Sequence, residues 1–133
     1  GWFIEAGWFI EAGRSIEAGE FIKAGRFIKA GRFIKAGRFI KAGGFIEAGR
    51  FIKAGEFIEA EKIIGFRRLA QCKWNIYLNE KGWVRIGCVA KSIKDWDEWF
   101  AGDEVFETPR DSIEFKKIQA SFEYAKRIWE IEQ

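Results

Sequence analysis

The residues of this sequence equipped for chemistry are charged and aromatic, and histidine is not among them. Lys23, Arg26, Lys29, Arg32, Lys35, Arg38 and Lys41 form a basic run with no acidic residue between positions 21 and 43, interleaved with Phe21, Phe27, Phe33 and Phe39. Cations hold phosphates and aromatic rings stack on bases, so the run is a candidate nucleic-acid surface. Asp95, Asp97, Glu98, Asp103, Glu104 and Glu107 form an acidic stretch that includes Trp96, Trp99, Phe100 and Phe106. Carboxylates beside large aromatics suit docking on a basic protein partner, with the aromatics as anchors. Carboxylates also serve acid-base chemistry or bind divalent cations, but no family pattern here supports either use. Cys72 and Cys88, without histidine or a Cys-x-x-Cys pair, do not make a zinc site. Two reduced core thiols are the expectation for them, and no metal or cofactor is expected for the chain.

The elements that must position these residues follow from a six-residue unit, Gly-x-Phe-Ile-(Glu/Lys)-Ala, which fills the first half of the chain and places isoleucine at every sixth position from Ile4 to Ile64. Within a unit, Ile and Ala share one strand face while Phe and the charged residue share the other. Burying an unpaired charge is prohibitive, so Ile and Ala must line the interior. The Gly-x pair supplies the corner, where glycine tolerates the backbone angles of a sharp bend. An α-helix would scatter isoleucines spaced six apart around its axis instead of gathering them in a stripe. Strand-plus-corner units of this length are the signature of a β-helix.

Charge decides how many units make a coil, because residues stacked in adjacent coils lie about 4.8 Å apart and like charges there repel. At a spacing of 18, seven pairs are opposite, including Glu5/Lys23, Lys29/Glu47, Arg38/Glu56 and Lys41/Glu59. Four are alike: Arg14/Arg32, Arg32/Arg50, Lys23/Lys41 and Lys35/Lys53. At a spacing of 12, Arg14, Arg26, Arg38, Arg50 and Lys62 form one wholly basic column. The coil is therefore three-sided. Wrapped on it, the basic run spreads over all three faces, with much of it neutralised by neighbouring coils. Phe lies outside by parity, either in ladders down each face or as an interface, and for at least one face we expect an interface.

These repeats resemble the hexapeptide left-handed β-helix, in which an aliphatic and a small residue point inward once per face. The departure is the outward Phe, where that family more often carries a polar residue. The resemblance implies acyltransferase activity through a catalytic histidine, and a chain without histidine lacks that base.

At 133 residues the chain has room for one domain, or for a repeat segment with a packed cap. Its net charge is +3, and the excess belongs to the repeats. No apolar run approaches a membrane span and no signal peptide precedes the repeats, so a cytoplasmic protein without membrane contact is expected. Gly1 is in phase with the repeat and the sequence contains no methionine, so further hexads are expected upstream. Trp2, Phe3, Trp8 and Phe9 crowd the first coil, where open strand edges favour self-association into a homo-oligomer.

The repeat decays across residues 61–66. Residues 72–78 and 84–88 alternate as a β-hairpin around a turn at residues 79–82, and matching their apolar faces pairs Ile76 with Val84, Trp74 with Ile86 and Cys72 with Cys88. Gly82 suits a bulge beside that turn. A helix is predicted over 92–100 with Ser92 as N-cap and Gly102 as its end. A second starts at Asp111, with Glu114 completing a capping box, and runs to about residue 132. The fold expected is mainly β with C-terminal α: a three-sided β-helix over 1–66, about 18 residues per coil, capped by a hairpin and two helices over 67–133.

The run from Gly87-Cys88 through Trp96, Trp99-Phe100, Asp103-Glu104 and Thr108-Pro109-Arg110 to Phe115 resembles the tails of small proteins of bacterial phages and mobile elements. That resemblance implies binding to host machinery, defence systems included. The function expected is a non-enzymatic protein-binding module, an anti-CRISPR-like inhibitor of a host defence or nucleic-acid-handling system that acts in the host cytoplasm. The alternatives are a direct nucleic-acid binder using the basic run and a purely structural, self-assembling repeat protein.

Overall fold

A computed structural model describes residues 2–105 and 107–133. Gly1, which opens the repeat, and Phe106, one aromatic of the acidic stretch, lie outside the described residues. The chain divides into two compact units, Gly1–Arg67 and Arg68–Gln133.

The first unit is a β-solenoid of about four turns with three sides per coil. The first coil holds β1 (Phe3–Ala6), β2 (Phe9–Ala12) and β3 (Ser15–Ala18); the second holds β4 (Phe21–Ala24), β5 (Phe27–Ala30) and β6 (Phe33–Ala36). In the third, β7 (Phe39–Ala42) forms one side and β8 (Phe45–Ala54) bends to form two. β9 (Phe57–Glu59) and β10 (Lys62–Gln71) begin the fourth. Pairing is parallel and each step spans one coil: Ile4 on Ile22 on Ile40 on Ile58 down the first face, Ile10 on Ile28 on Ile46 down the second, Ile16 on Ile34 on Ile52 down the third. The coil length is the one that the charges call for.

Ile22, Ile28, Ile34, Ile40, Ile46 and Ile52 are fully buried, with alanines filling the spaces between them. Burying each such side chain stabilises by roughly 1.5–3 kcal/mol. Outside, phenylalanines stack coil on coil, with Phe21 and Phe39 at 4.9 Å and 1° between planes and Phe27 and Phe45 at 4.8 Å and 3°. The rings cover one another in ladders, which leaves Phe21, Phe27, Phe33, Phe39, Phe45 and Phe51 half-buried instead of exposed.

Glycine serves the corners for a different reason from the one expected. Among the described residues positive φ occurs only at Gly65, Gly82 and Gly87, none of them a repeat corner. At the corners the constraint comes from the coil below: a Cβ on Gly25, Gly31, Gly37, Gly49 or Gly55 would fall inside the shell of the carbonyl oxygen of the equivalent glycine one coil earlier. The backbones meet there through hydrogen bonds such as Gly25 N–H to the Ala6 carbonyl at 3.2 Å and Arg26 N–H to the Trp8 carbonyl at 2.7 Å.

The fourth coil departs from the pattern. Ile63 pairs with Ile46 and packs on the core, while Ile64 pairs with Glu47, so the inward place belongs to Ile63 and not to Ile64. The step here is one residue short, and a one-residue slip exchanges the faces of a strand. The register shifts again before Phe66, which pairs with Phe51, across Gly65 at φ 118°.

The second unit contains an antiparallel run of strands, β11 (Asn75–Leu78), β12 (Trp83–Ile86) and β13 (Val89–Ser92), followed by α1 (Ile93–Ala101) and α2 (Ile113–Ile131). The hairpin register differs from the expected one by two residues: Ile76 pairs with Ile86 and Leu78 with Val84. Asn79 is responsible. Its side-chain oxygen accepts from the N–H groups of Lys81 and Trp83, and its N–H donates to the Trp83 carbonyl, which makes residues 80–82 the loop. Gly82, at φ 79°, takes the bulge position beside it. The shift removes Cys72 from opposite Cys88. Both are free thiols, and Cys88 is exposed, not in the core.

β13 is an addition to the expected hairpin, joined to β12 through Gly87-Cys88 with Ile86 paired to Val89. A positive φ of 61° at Gly87 meets the demand of a tight primed turn at its first residue. α1 is capped by Ser92, whose hydroxyl accepts from Asp95 N–H at 3.1 Å, and ends at Gly102. For α2 the cap is Ser112, one residue after the expected Asp111, accepting from Phe115 N–H at 3.2 Å. Ile76, Leu78, Val84 and Ile86 from the sheet meet Trp96 and Phe100 from α1 and Phe115, Ile118, Phe122 and Ala125 from α2 in one core.

Candidate functional site

The solenoid sorts the basic residues by face, and the three faces come out unequal. On the first face Lys23 and Lys41 lie between Glu5 and Glu59, and the corner column reads Glu20, Arg38, Glu56. Here Arg38 Nε reaches Glu56 at 3.4 Å and Lys41 Nζ reaches Glu59 at 3.8 Å. On the second, Lys29 lies between Glu11 and Glu47, with Nζ 3.6 Å from the latter. Its corner carries Trp8, Arg26 and Gly44, and the Arg26 guanidinium sits 4.4 Å from the centre of the Trp8 ring.

The third face carries a different balance. Its strand column reads Glu17, Lys35, Lys53 and its corner column Arg14, Arg32, Arg50. Backbone hydrogen bonds of 2.7 Å from Arg32 N–H to the Arg14 carbonyl and from Arg50 N–H to the Arg32 carbonyl hold that column one coil apart. Arg14, Arg32, Lys35 and Arg50 are exposed. Three of the four like-charge pairs at a spacing of 18 thus fall on one face, five cations against one carboxylate.

Of the basic run, only Arg32 and Lys35 belong to this face. Arg14, Arg50 and Lys53 lie outside the run and complete it. A contiguous run is dealt around the prism, whereas a column is built from residues one coil apart, so the useful signal was the set of like-charge pairs and not the run.

Between these cations Phe33 and Phe51 stack at 5.0 Å and 6° between planes. The facing sides of the two rings are occupied by each other, and edges are what the ladder presents outward. The arrangement can hold phosphates along a chain.

The acidic stretch is distributed differently from its reading as an anchored docking surface. Trp96 is buried and donates its indole N–H to the Val84 carbonyl at 2.7 Å, and Phe100 is buried beside it. Trp99 is half-buried beneath the Arg110 guanidinium, 4.7 Å from its ring centre. Arg110 in turn donates to the carbonyls of Trp99, Phe100 and Glu104, satisfying groups at the end of α1. Asp97 accepts from Lys126 Nζ at 2.9 and 3.1 Å, joining α1 to α2. That contact raises the Lys126 ammonium above its ordinary pKa. Asp95, Glu98, Asp103, Glu104 and Glu107 remain exposed. The carboxylates are at the surface, and the described aromatics that were to accompany them belong to the core.

Trp2 and Trp8 are 74% and 63% exposed, and Phe3 and Phe9 are exposed on one ring face while the other stacks on Phe21 and Phe27. Among the described residues no cluster of three His, Cys, Asp or Glu side chains could hold a metal ion. None of their helices is long and apolar enough to cross a membrane.

Compared with protein-family models, with characterised proteins and with solved structures, the chain matches none.

Proposed function

We propose that the chain is a non-catalytic binding protein whose third solenoid face holds an extended polyanion, nucleic acid foremost. The observation that carries this reading is the sorting of like charges: Arg14, Arg32, Arg50, Lys35 and Lys53 stack on one face, while the strand columns of the other two begin and end in carboxylates. A side of the prism lined by cations one coil apart presents a positive field that attracts a polyanion. Recognition is of the phosphate backbone and so is insensitive to sequence.

The test is binding of a fluorescent single-stranded oligonucleotide over a range of salt. Engagement of all five cations gives a slope of about −3.5 in log K against log salt. Arg14, Arg32 and Arg50 changed together to Glu should abolish binding, whereas charge reversal at Lys23, Lys29 and Lys41 should weaken it far less. An affinity unmoved by salt, or equal in the two variants, would reject the reading.

Protein docking through the second unit is the other reading, supported by five exposed carboxylates between residues 95 and 107 and by Val105, 59% exposed. An inhibitor of a host nucleic-acid-handling system would act there, on a basic partner. The arginine reversals would leave that interaction intact.

A further inference from the structure

We propose that the second unit binds a small single-ring aromatic acid in a cavity that the polyanion reading does not use. The cavity measures about 130 Å³ and is walled by Trp74, Trp96, Trp99, Phe115, Ile86 and Ile118. Its size is close to that of an engineered apolar cavity of about 150 Å³ that stays dry and admits benzene. Four aromatic walls favour an aromatic guest over an aliphatic one, through edge and offset-stacked contacts. Glycine at position 87 keeps the β12–β13 turn against one wall, since a Cβ there would lie 3.1 Å from the Trp74 ring.

Charge selects the kind of aromatic. Lys73 Nζ lies 5.6 Å from the centre of Trp74, Lys91 Nζ lies 4.9 Å from Trp96 and 5.7 Å from Trp99, and the Arg110 guanidinium lies 5.1 Å from Phe115. Three cations therefore stand over the lining rings, against one lining carboxylate, the exposed Glu107. Their field favours an anionic guest over a cationic one.

Thr108 marks where the acid group belongs. It is 7% exposed and lines both the cavity and a neighbouring open groove that contains Lys73, Lys117 and Glu114. Its hydroxyl accepts from Lys73 Nζ at 3.3 Å. A ring in the cavity with a one-carbon arm directs its carboxylate toward Thr108 and the Lys73 ammonium bonded to it. Cys88, exposed at the lip, reports occupancy through its reactivity.

The experiment titrates the full chain with phenylacetate, benzyl alcohol and benzylamine, which share a ring and differ in charge. Trp indole N–H resonances and the rate of Cys88 alkylation by iodoacetamide are followed together. Phenylacetate should bind saturably, shift the Trp96 and Trp99 signals and slow alkylation, with about fivefold preference over benzyl alcohol and benzylamine weakest. Lys73→Gln, at an exposed position, should lower phenylacetate affinity to that of benzyl alcohol. Absence of a saturable response to all three probes would overturn the cavity as a site. Equal or tighter binding of benzylamine would overturn the assignment to an acid.

Discussion

The two units bury comparable apolar side chains by opposite means. In the solenoid each isoleucine meets the same neighbour, another isoleucine one coil away, and its surroundings depend only on its place in the coil. In the second unit no contact repeats: Phe122 packs on Trp96 and Phe100, and Phe100 also meets Phe115 and Trp99. Periodic burial spreads stability evenly and leaves the outer surface free to vary in charge. Aperiodic burial concentrates stability in a few large rings and creates a cavity among them.

The sharpest way to break this contrast is to delete one buried side chain in each unit. Phe122→Ala should cost about 3–5 kcal/mol and Ile34→Ala about 2–5 kcal/mol. Followed by tryptophan fluorescence and far-UV circular dichroism during urea unfolding, the first should disperse the aromatic core while the second loosens strand signal. A single coincident transition shifted equally by both would show that the units unfold together and the contrast is one of geometry only.

A smaller effect tests the corner column. Gly37→Ala should destabilise by about 1–3 kcal/mol, because its Cβ meets the Gly19 carbonyl oxygen. Gly13→Ala, with nothing within 4 Å of the added carbon, should be neutral in the same urea titration. Equal costs would return the corner to an explanation based on backbone angles.

Period and charge made the solenoid readable from sequence, since nearly every strand repeats the same pattern and errors cannot accumulate unnoticed. The second unit offered one alternation per strand and no repeat to correct it. The register around residue 80 turned on the side chain of Asn79, whose two accepted hydrogen bonds moved the loop by one residue and the pairing by two. Ile63 and Ile64 illustrate the same limit inside the solenoid: both are isoleucine, so composition could not say which faces the core. For the site, the basic run was visible and its division among faces was not, because neutralisation depends on partners in the neighbouring coils.

Acid-base behaviour sharpens the second unit further. Tyr77 is buried in β11, and burial raises its phenol above pKa 10, partly offset by Arg68 and Arg85. The folded state therefore favours the neutral phenol. Its contribution is complete below pH 10, where the unfolded phenol is also neutral, and is lost as pH rises through the folded pKa. Tyr77→Phe should flatten the fall in stability above pH 10, measured by thermal melting across pH. The least effect belongs to the α1–α2 ion pair. Lys126→Met should cost about 0.5 kcal/mol, as partly exposed pairs do, and less in high salt. The raised Lys126 pKa sets its window: the contribution is present below about pH 10.5 and lost as pH climbs through the folded value.

The three-sided coil also sets the unit in which this chain can change length. Gain or loss of three hexads adds or removes one turn and leaves every residue beyond the junction on its own side of the prism. A step of a single hexad instead turns everything downstream by one side, and where a hexad is gained residues two hexads apart meet at the seam, such as Arg14 with Arg26 or Arg38 with Arg50. Slippage that adds one of these nearly identical hexads therefore sets like charges against each other at its seam. Whole-turn steps alone keep the arginine column in line, so the reach of the basic side lengthens or shortens one coil at a time.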